Sequence, residues 1–142
     1  MVTIEGIPIN KPPYSTLTAI NLNTGEHVWQ RPIGDSPQVR KNPLLLGVQL
    51  PEELGAVTNG GVLVTRGGLV IVAPGEQFLY FVDKESGKTL RKLDLGVPAG
   101  GTPMTYETRQ GRQYIVIAAG GGRDGTLIAV ALPANISSKP AN

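Results

Sequence analysis

The sequence predicts an all-β chain, and three observations carry that prediction. Short apolar runs alternate with turns rich in Gly and Pro, of which there are 19 and 12 among 142 residues. Several of those runs are apolar at every position, the pattern of strands covered on both faces. One turn motif recurs with fixed internal spacing, as in repeat architectures.

The elements follow in order. Two strands precede Arg31, joined by the turn Asn21, Leu22, Asn23, Thr24, Gly25. Helix signals are weak. The best stands at 51–54, where Pro51 is followed by Glu52 and Glu53, a pattern suited to a first helical turn and good for one or two turns at most. Residues 61–65 and 69–73 read as a hairpin about the turn Arg66, Gly67, Gly68. After a turn at 74–77 comes a third strand at 78–82, then a turn at 84–87 and a fourth, more polar strand over 88–95. The second half repeats the scheme with strands at 102–106, 113–119 and 126–132, the last two joined by the loop Gly120 to Gly125. Residues 134–142 read as a flexible tail. Asn135, Ile136 and Ser137 in it fit a glycosylation acceptor pattern, which so short a match reaches by chance.

Four strands in series joined by tight turns make a meander. A lone meander buries one face, so strands apolar on both faces require similar sheets on either side. Stacked four-stranded meanders are propeller blades. The predicted fold is therefore a partial β-propeller of four-stranded antiparallel blades, with residues 1–133 supplying about two and a half of them. The recurring motif supports this. Residues 19–29 and 81–91 align without a gap, with Asn21 or Asp83, then Thr24 or Ser86, then Gly25 or Gly87, and Trp29 or Arg91 at the end. Asn or Asp caps the turn, Gly supplies the positive φ, and Trp on the outer strand is expected to cover the gap to the next blade.

Composition narrows the function. The net charge is +2, from 13 basic and 11 acidic residues, and the basic residues are scattered, so no nucleic-acid groove is expected. The absence of Cys excludes disulfides, thiolate metal sites and a Cys nucleophile. No run approaches the roughly 18 apolar residues of a membrane span. No basic and apolar leader opens the chain, so no signal peptide is visible in it.

Three strings go beyond the turn motif: residues 11–26, 101–107 (Gly-Thr-Pro-Met-Thr-Tyr-Glu) and 111–121 (Gly-Arg-Gln-Tyr-Ile-Val-Ile-Ala-Ala-Gly-Gly). Together with the tryptophan-docking repeat they resemble the C-terminal blades of the pyrroloquinoline-quinone (PQQ) dehydrogenases, in the membrane-type glucose dehydrogenase branch, over roughly residues 10–133. The resemblance implies an eight-bladed propeller with PQQ and Ca²⁺ near the axis, oxidation of sugars or alcohols, and a periplasmic location. It also implies that the blades carrying the base, the Ca²⁺ ligands and the quinone-contacting Lys or Arg lie outside this chain. Where those relatives place a His after the Ala-Ala-Gly-Gly string, this chain has Gly122 followed by Arg123, in a shorter loop.

The candidate cofactor-binding residues are therefore Gly120, Gly121, Gly122 and Arg123. Glycines let backbone amides approach an anion, and the Arg fork suits the carboxylates of the quinone. The ordinary reading of the same residues is a glycine turn with a solvated Arg123–Asp124 pair. No catalytic residue and no metal ligand is assigned. His27, the only His, falls in an outer strand, and Asn21 and Asp83 read as turn caps.

Two functions follow as expectations. The chain is a C-terminal fragment of a PQQ-dependent dehydrogenase, inactive and without bound cofactor on its own; or it is a non-catalytic blade scaffold or protein-binding module. In either case an open arc exposes apolar end faces. Its expected partner is a second copy, in a dimer that pairs the two arcs, or the missing blades. Residues 3–9 are expected to supply the outer strand that the last blade lacks, either within the chain or from the partner copy.

Overall fold

The computed structural model describes residues 2–57 and 60–133. The tail expected at 134–142 and the acceptor pattern in it lie outside the described residues.

Among the described residues eleven strands form four antiparallel sheets. A small hairpin pairs β1 (Thr3–Ile4) with β2 (Ile7–Pro8). The first blade contributes β3 (Thr16–Ile20) and β4 (His27–Pro32). The second is complete, with β5 (Gly61–Val64), β6 (Leu69–Ala73), β7 (Phe78–Asp83) and β8 (Thr89–Asp94) in simple meander order. The third holds β9 (Met104–Glu107), β10 (Gln113–Ala119) and β11 (Thr126–Val130).

Two cores hold the blades together, and alternate residues of the second blade face one or the other. Ile71, Ala73 and Leu79 pack toward the third blade with Ile117, Ala119 and Ala99. Val70, Val72, Tyr80 and Val82 pack toward the first with Ile33, Leu17 and Trp29. Continuous apolarity in β6 and β7 thus reports burial on both faces. Strand β5 departs from that expectation: Val62 and Val64 are exposed. The first blade has only its two outer strands among the described residues, so the Val62 and Val64 face of β5 lacks a strand packed over it, while Leu63 packs into the core shared with the third blade.

The repeat does what its residues suggest. The Trp29 Nε1–H donates to the Lys84 carbonyl at 2.9 Å, and the indole lies on Gly87, where a Cβ would stand 2.7 Å from the ring. Gly87 has φ +71°, so the turn and the docking surface need the same glycine. Arg31, two residues on, donates to Gly87 O and Thr89 Oγ1 of the second blade and pairs with Glu53 at 2.6 Å. Arg91, in the second copy, is exposed.

Two further sequence expectations are corrected. Residues 51–54 form no helix: the carbonyls of Pro51 and Glu52 accept from Arg40, and Leu54 O accepts from the Tyr14 N–H, which holds the segment extended. The short helix α1 is Pro37–Arg40 instead, with Pro at its start. Residues 3–9 do not extend the last blade of their own chain. They fold on themselves as the β1–β2 hairpin and are tied to Asn42, whose Nδ2 donates to Glu5 O.

Among the described residues helix is thus limited to α1 and two 3₁₀ turns, at Pro43–Leu45 and Gly122–Asp124. Far-ultraviolet circular dichroism is expected to lack the helical double minimum; a deep one contradicts this fold.

The 33–57 excursion is held by a clamp. Arg40 Nε donates to both Asp35 oxygens, at 2.7 and 3.0 Å, while its Nη2 holds the two carbonyls. Burial pushes the Asp35 carboxyl up, but the Arg40 hydrogen bond and charge and the Ser36 and Leu54 amides outweigh it, leaving it below the ordinary range. A depressed carboxyl stabilises the fold above its unfolded pKa of about 3.9, and that contribution fades as pH falls through the lower folded value. Asp35→Asn is expected to cost about 1 kcal/mol at pH 7, with the gap to the parent closing in acid. Urea midpoints at pH 7 and pH 3 check this; a gap that persists at low pH contradicts it.

Candidate functional site

Connections between strands alternate between the two ends of the blades. One end carries the capped turns. Lys84 N donates to Gly68 O across the two turns of the second blade, Asp83 Oδ1 accepts from Ser86 N and Oγ, and Asn21 Oδ1 accepts from Asn23 N. Those Ser86 bonds hold the Asp83 carboxyl below its ordinary value. Asn21 and Asp83 are turn caps, and His27 is exposed near the same end.

The other end is built from longer segments: the 33–57 excursion, the 74–77 loop, the 95–103 linker and the 120–125 loop. They are stitched by main-chain bonds. Gly75 N donates to Ala99 O, Ala99 N to Glu76 O, and Gly120 N to Pro98 O at 2.7 Å. Tyr80 Oη donates to Glu76 Oε1 beneath this end, and burial first, then Glu76, pushes the Tyr80 hydroxyl well up.

Gly120, Gly121, Gly122 and Arg123 therefore come together on this loop face, and their roles differ. Gly120 shapes the turn: its φ is +73° and a Cβ would meet Asp124 O at 2.6 Å. A Cβ at Gly121 or Gly122 would meet nothing within 4 Å, and both residues are exposed. Arg123 is exposed, and among the described residues no ion pair joins it to Asp124.

The inner strands add glycines to the same face that the sequence reading missed. Gly60 and Gly61 open β5 against neighbouring backbone, and a Cβ at Gly61 would stand 2.2 Å from Thr102 Cα. The linker into β9 likewise carries Gly100 and Gly101. The available signal was positional: a Gly pair stands just before the first strand of each later blade. Among the described residues no group of three or more His, Asp or Glu side chains can hold a metal ion.

A family model described as "PQQ: Glucose/ethanol/alcohol dehydrogenase, beta-propeller domain" matches residues 1–115. The chain belongs to the PQQ dehydrogenase propeller family. Similar proteins include the quinate/shikimate dehydrogenase (quinone) of Acinetobacter baylyi, 39% identical over 83% of this chain and 15% of that protein. The glycerol dehydrogenase large subunit of Gluconobacter oxydans is 41% identical over 82% of this chain and 16% of its own length. The quinoprotein glucose dehydrogenase of Escherichia coli is 38% identical over 92% and 17%. The chain thus spans 15–17% of these relatives.

Within the PQQ dehydrogenase family the loop face fits one part of the cofactor's needs. Open glycines and an exposed Arg suit a carboxylate-bearing quinone. The described residues do not fit its metal, since they offer no ligand cluster.

Proposed function

We propose that residues 1–133 are C-terminal blades of a periplasmic PQQ-dependent dehydrogenase of sugars or alcohols, and that Gly120–Arg123 border the quinone. The observation that carries this is the gathering of Gly121, Gly122 and Arg123 with the glycine-bearing inner linkers on one face of the arc. The loop residues Gly121, Gly122 and Arg123 would hold the quinone, which when bound would supply the oxidising power for the alcohol. The role of this chain is to close the site around it. Gly120 sets the loop, Gly121 and Gly122 admit close approach, and Arg123 offers its fork to a carboxylate. The base and the metal ligands come from elsewhere in the enzyme.

The chain alone is therefore inactive, and it associates through its uncovered ends with missing blades or with a second copy in a dimer. Catalysis needs a base in reach of the hydroxyl proton and a metal to polarise the acceptor. Titration with PQQ and Ca²⁺, followed by absorbance and dye reduction with glucose, glycerol and quinate, is expected to show no turnover. Quinone-dependent reduction above a no-protein blank contradicts this reading.

A further inference from the structure

Tyr80 belongs to the core between the first and second blades, where its buried neighbours Ile33, Val70, Val72 and Val82 carry no polar side-chain atom. Packing accounts for its ring, which a Phe would supply as well. The hydroxyl needs another reason, since burying one without a partner is costly. It donates to Glu76 Oε1, four residues back in the 74–77 loop. Burial first, then the Glu76, Asp35 and Glu53 carboxylates, keep that hydroxyl protonated, so it remains a donor.

The main chain at Glu76 is where the second blade grips its outgoing linker. Ala99 N donates to Glu76 O and Gly75 N to Ala99 O, both at 3.0 Å, and Leu95 N donates to Gln77 O at 2.8 Å. Ala99 is fully buried, so this clip fixes the depth of the linker. One residue earlier, Pro98 O accepts from Gly120 N at 2.7 Å. That bond meets the glycine loop of the third blade at its left-handed residue, Gly120, with φ +73°. A run of hydrogen bonds and short stretches of chain thus leads from Tyr80 Oη to Gly120 N.

Resting on the reading that Gly120–Arg123 border the quinone, we propose that Tyr80 is a positioning residue for that loop, acting through the Glu76 carboxylate and the Ala99 clip. Its hydroxyl holds the 74–77 loop on the blade, that loop sets the linker, and the linker sets Gly120. Such a path couples its ends only if they open together, so opening of the loop is the quantity to measure.

The test is amide exchange in the chain alone, without quinone. Tyr80→Phe keeps the ring and removes the bond. If the bond breaks whenever the loop opens, the Gly75 and Gly120 amides exchange about tenfold faster, the weight of a hydrogen bond to a charged group. The Gly87 amide, bonded to Asp83 O at the other end of the blade, keeps its rate. Glu76→Gln retains an acceptor and is expected to stay within about threefold of the parent, whereas Glu76→Ala, at a partly exposed loop position, matches Tyr80→Phe. The variant carrying both Tyr80→Phe and Glu76→Ala exchanges no faster than either single one. A bond that serves stability alone speeds only amides that exchange by global unfolding, such as those of Ile71 and Ile117 in the core. That outcome, with unchanged rates at Gly75 and Gly120, overturns the proposal, as does equal acceleration at Gly87. A second arm tests the quinone reading separately. In a mixture with a dehydrogenase lacking this segment, PQQ at ten times its dissociation constant is expected to slow the Gly120 amide about tenfold. Acceleration by Tyr80→Phe without slowing by PQQ upholds the Tyr80 link and removes the quinone; slowing by PQQ without that acceleration removes the Tyr80 link alone.

Discussion

Gly87→Ala is expected to lower stability by about 2–4 kcal/mol, measured as a fall in the urea midpoint at pH 7. Two costs add. The residue sits at φ +71°, where an L side chain costs about 1–2 kcal/mol. The new Cβ would also stand 2.7 Å from the Trp29 ring, so the indole must leave its seat. Trp29→Ala alone removes the ring and its bond to Lys84 O. Because Trp29 is half-buried, about 2–3 kcal/mol is expected, below the usual range for a fully buried Trp. The double variant separates these effects. With the ring gone the clash is gone, so the two losses should sum to more than the double variant loses, by about 1 kcal/mol or more. Strict additivity contradicts the docking of Trp29 on Gly87.

Leu79→Ala is the second large effect. Leu79 has no exposed surface and sits between the second and third blades, with Ile71 and Ile117 around it. Such truncations cost about 2–5 kcal/mol, through lost transfer energy and the cavity left behind. An arc of this size has a stability of the same order, so the variant is expected to be largely unfolded at 25 °C. Val64→Ala, at an exposed position in the same blade, is the matched control and should change stability by less than about 0.5 kcal/mol. Urea titrations followed by circular dichroism check both; equal losses contradict the placement of the core.

The blade plan was legible in the sequence because its signals are local. Strands 69–73 and 113–119 were read to their ends, since glycine turns bound them, and in 69–73 burial on both faces makes the strand apolar throughout. Asn21 and Asp83 were legible as caps because Asx turns close over two or three residues. The excursion was not legible. Its fold depends on Arg40 reaching Asp35 and two carbonyls about a dozen residues on, and no periodicity records such a clamp. The exposure of Val62 and Val64 was missed for another reason: it depends on which strands stand opposite, and a strand's own residues do not encode that. In the candidate site, Gly120–Arg123 stood out as a run, while the part played by Gly60 and Gly61 appeared only when the inner strands were seen side by side.

The proposed role of this arc is to complete a PQQ dehydrogenase around its cofactor. The direct measurement is complementation: a quinoprotein glucose dehydrogenase lacking the segment that aligns with this chain is mixed with the chain, PQQ and Ca²⁺, and glucose-dependent dye reduction is recorded. Turnover is expected in the mixture and none from either part, with Arg123→Glu lowering it about tenfold or more through repulsion of the quinone carboxylates. A mixture as silent as its parts, although the two pieces co-elute, would contradict that role.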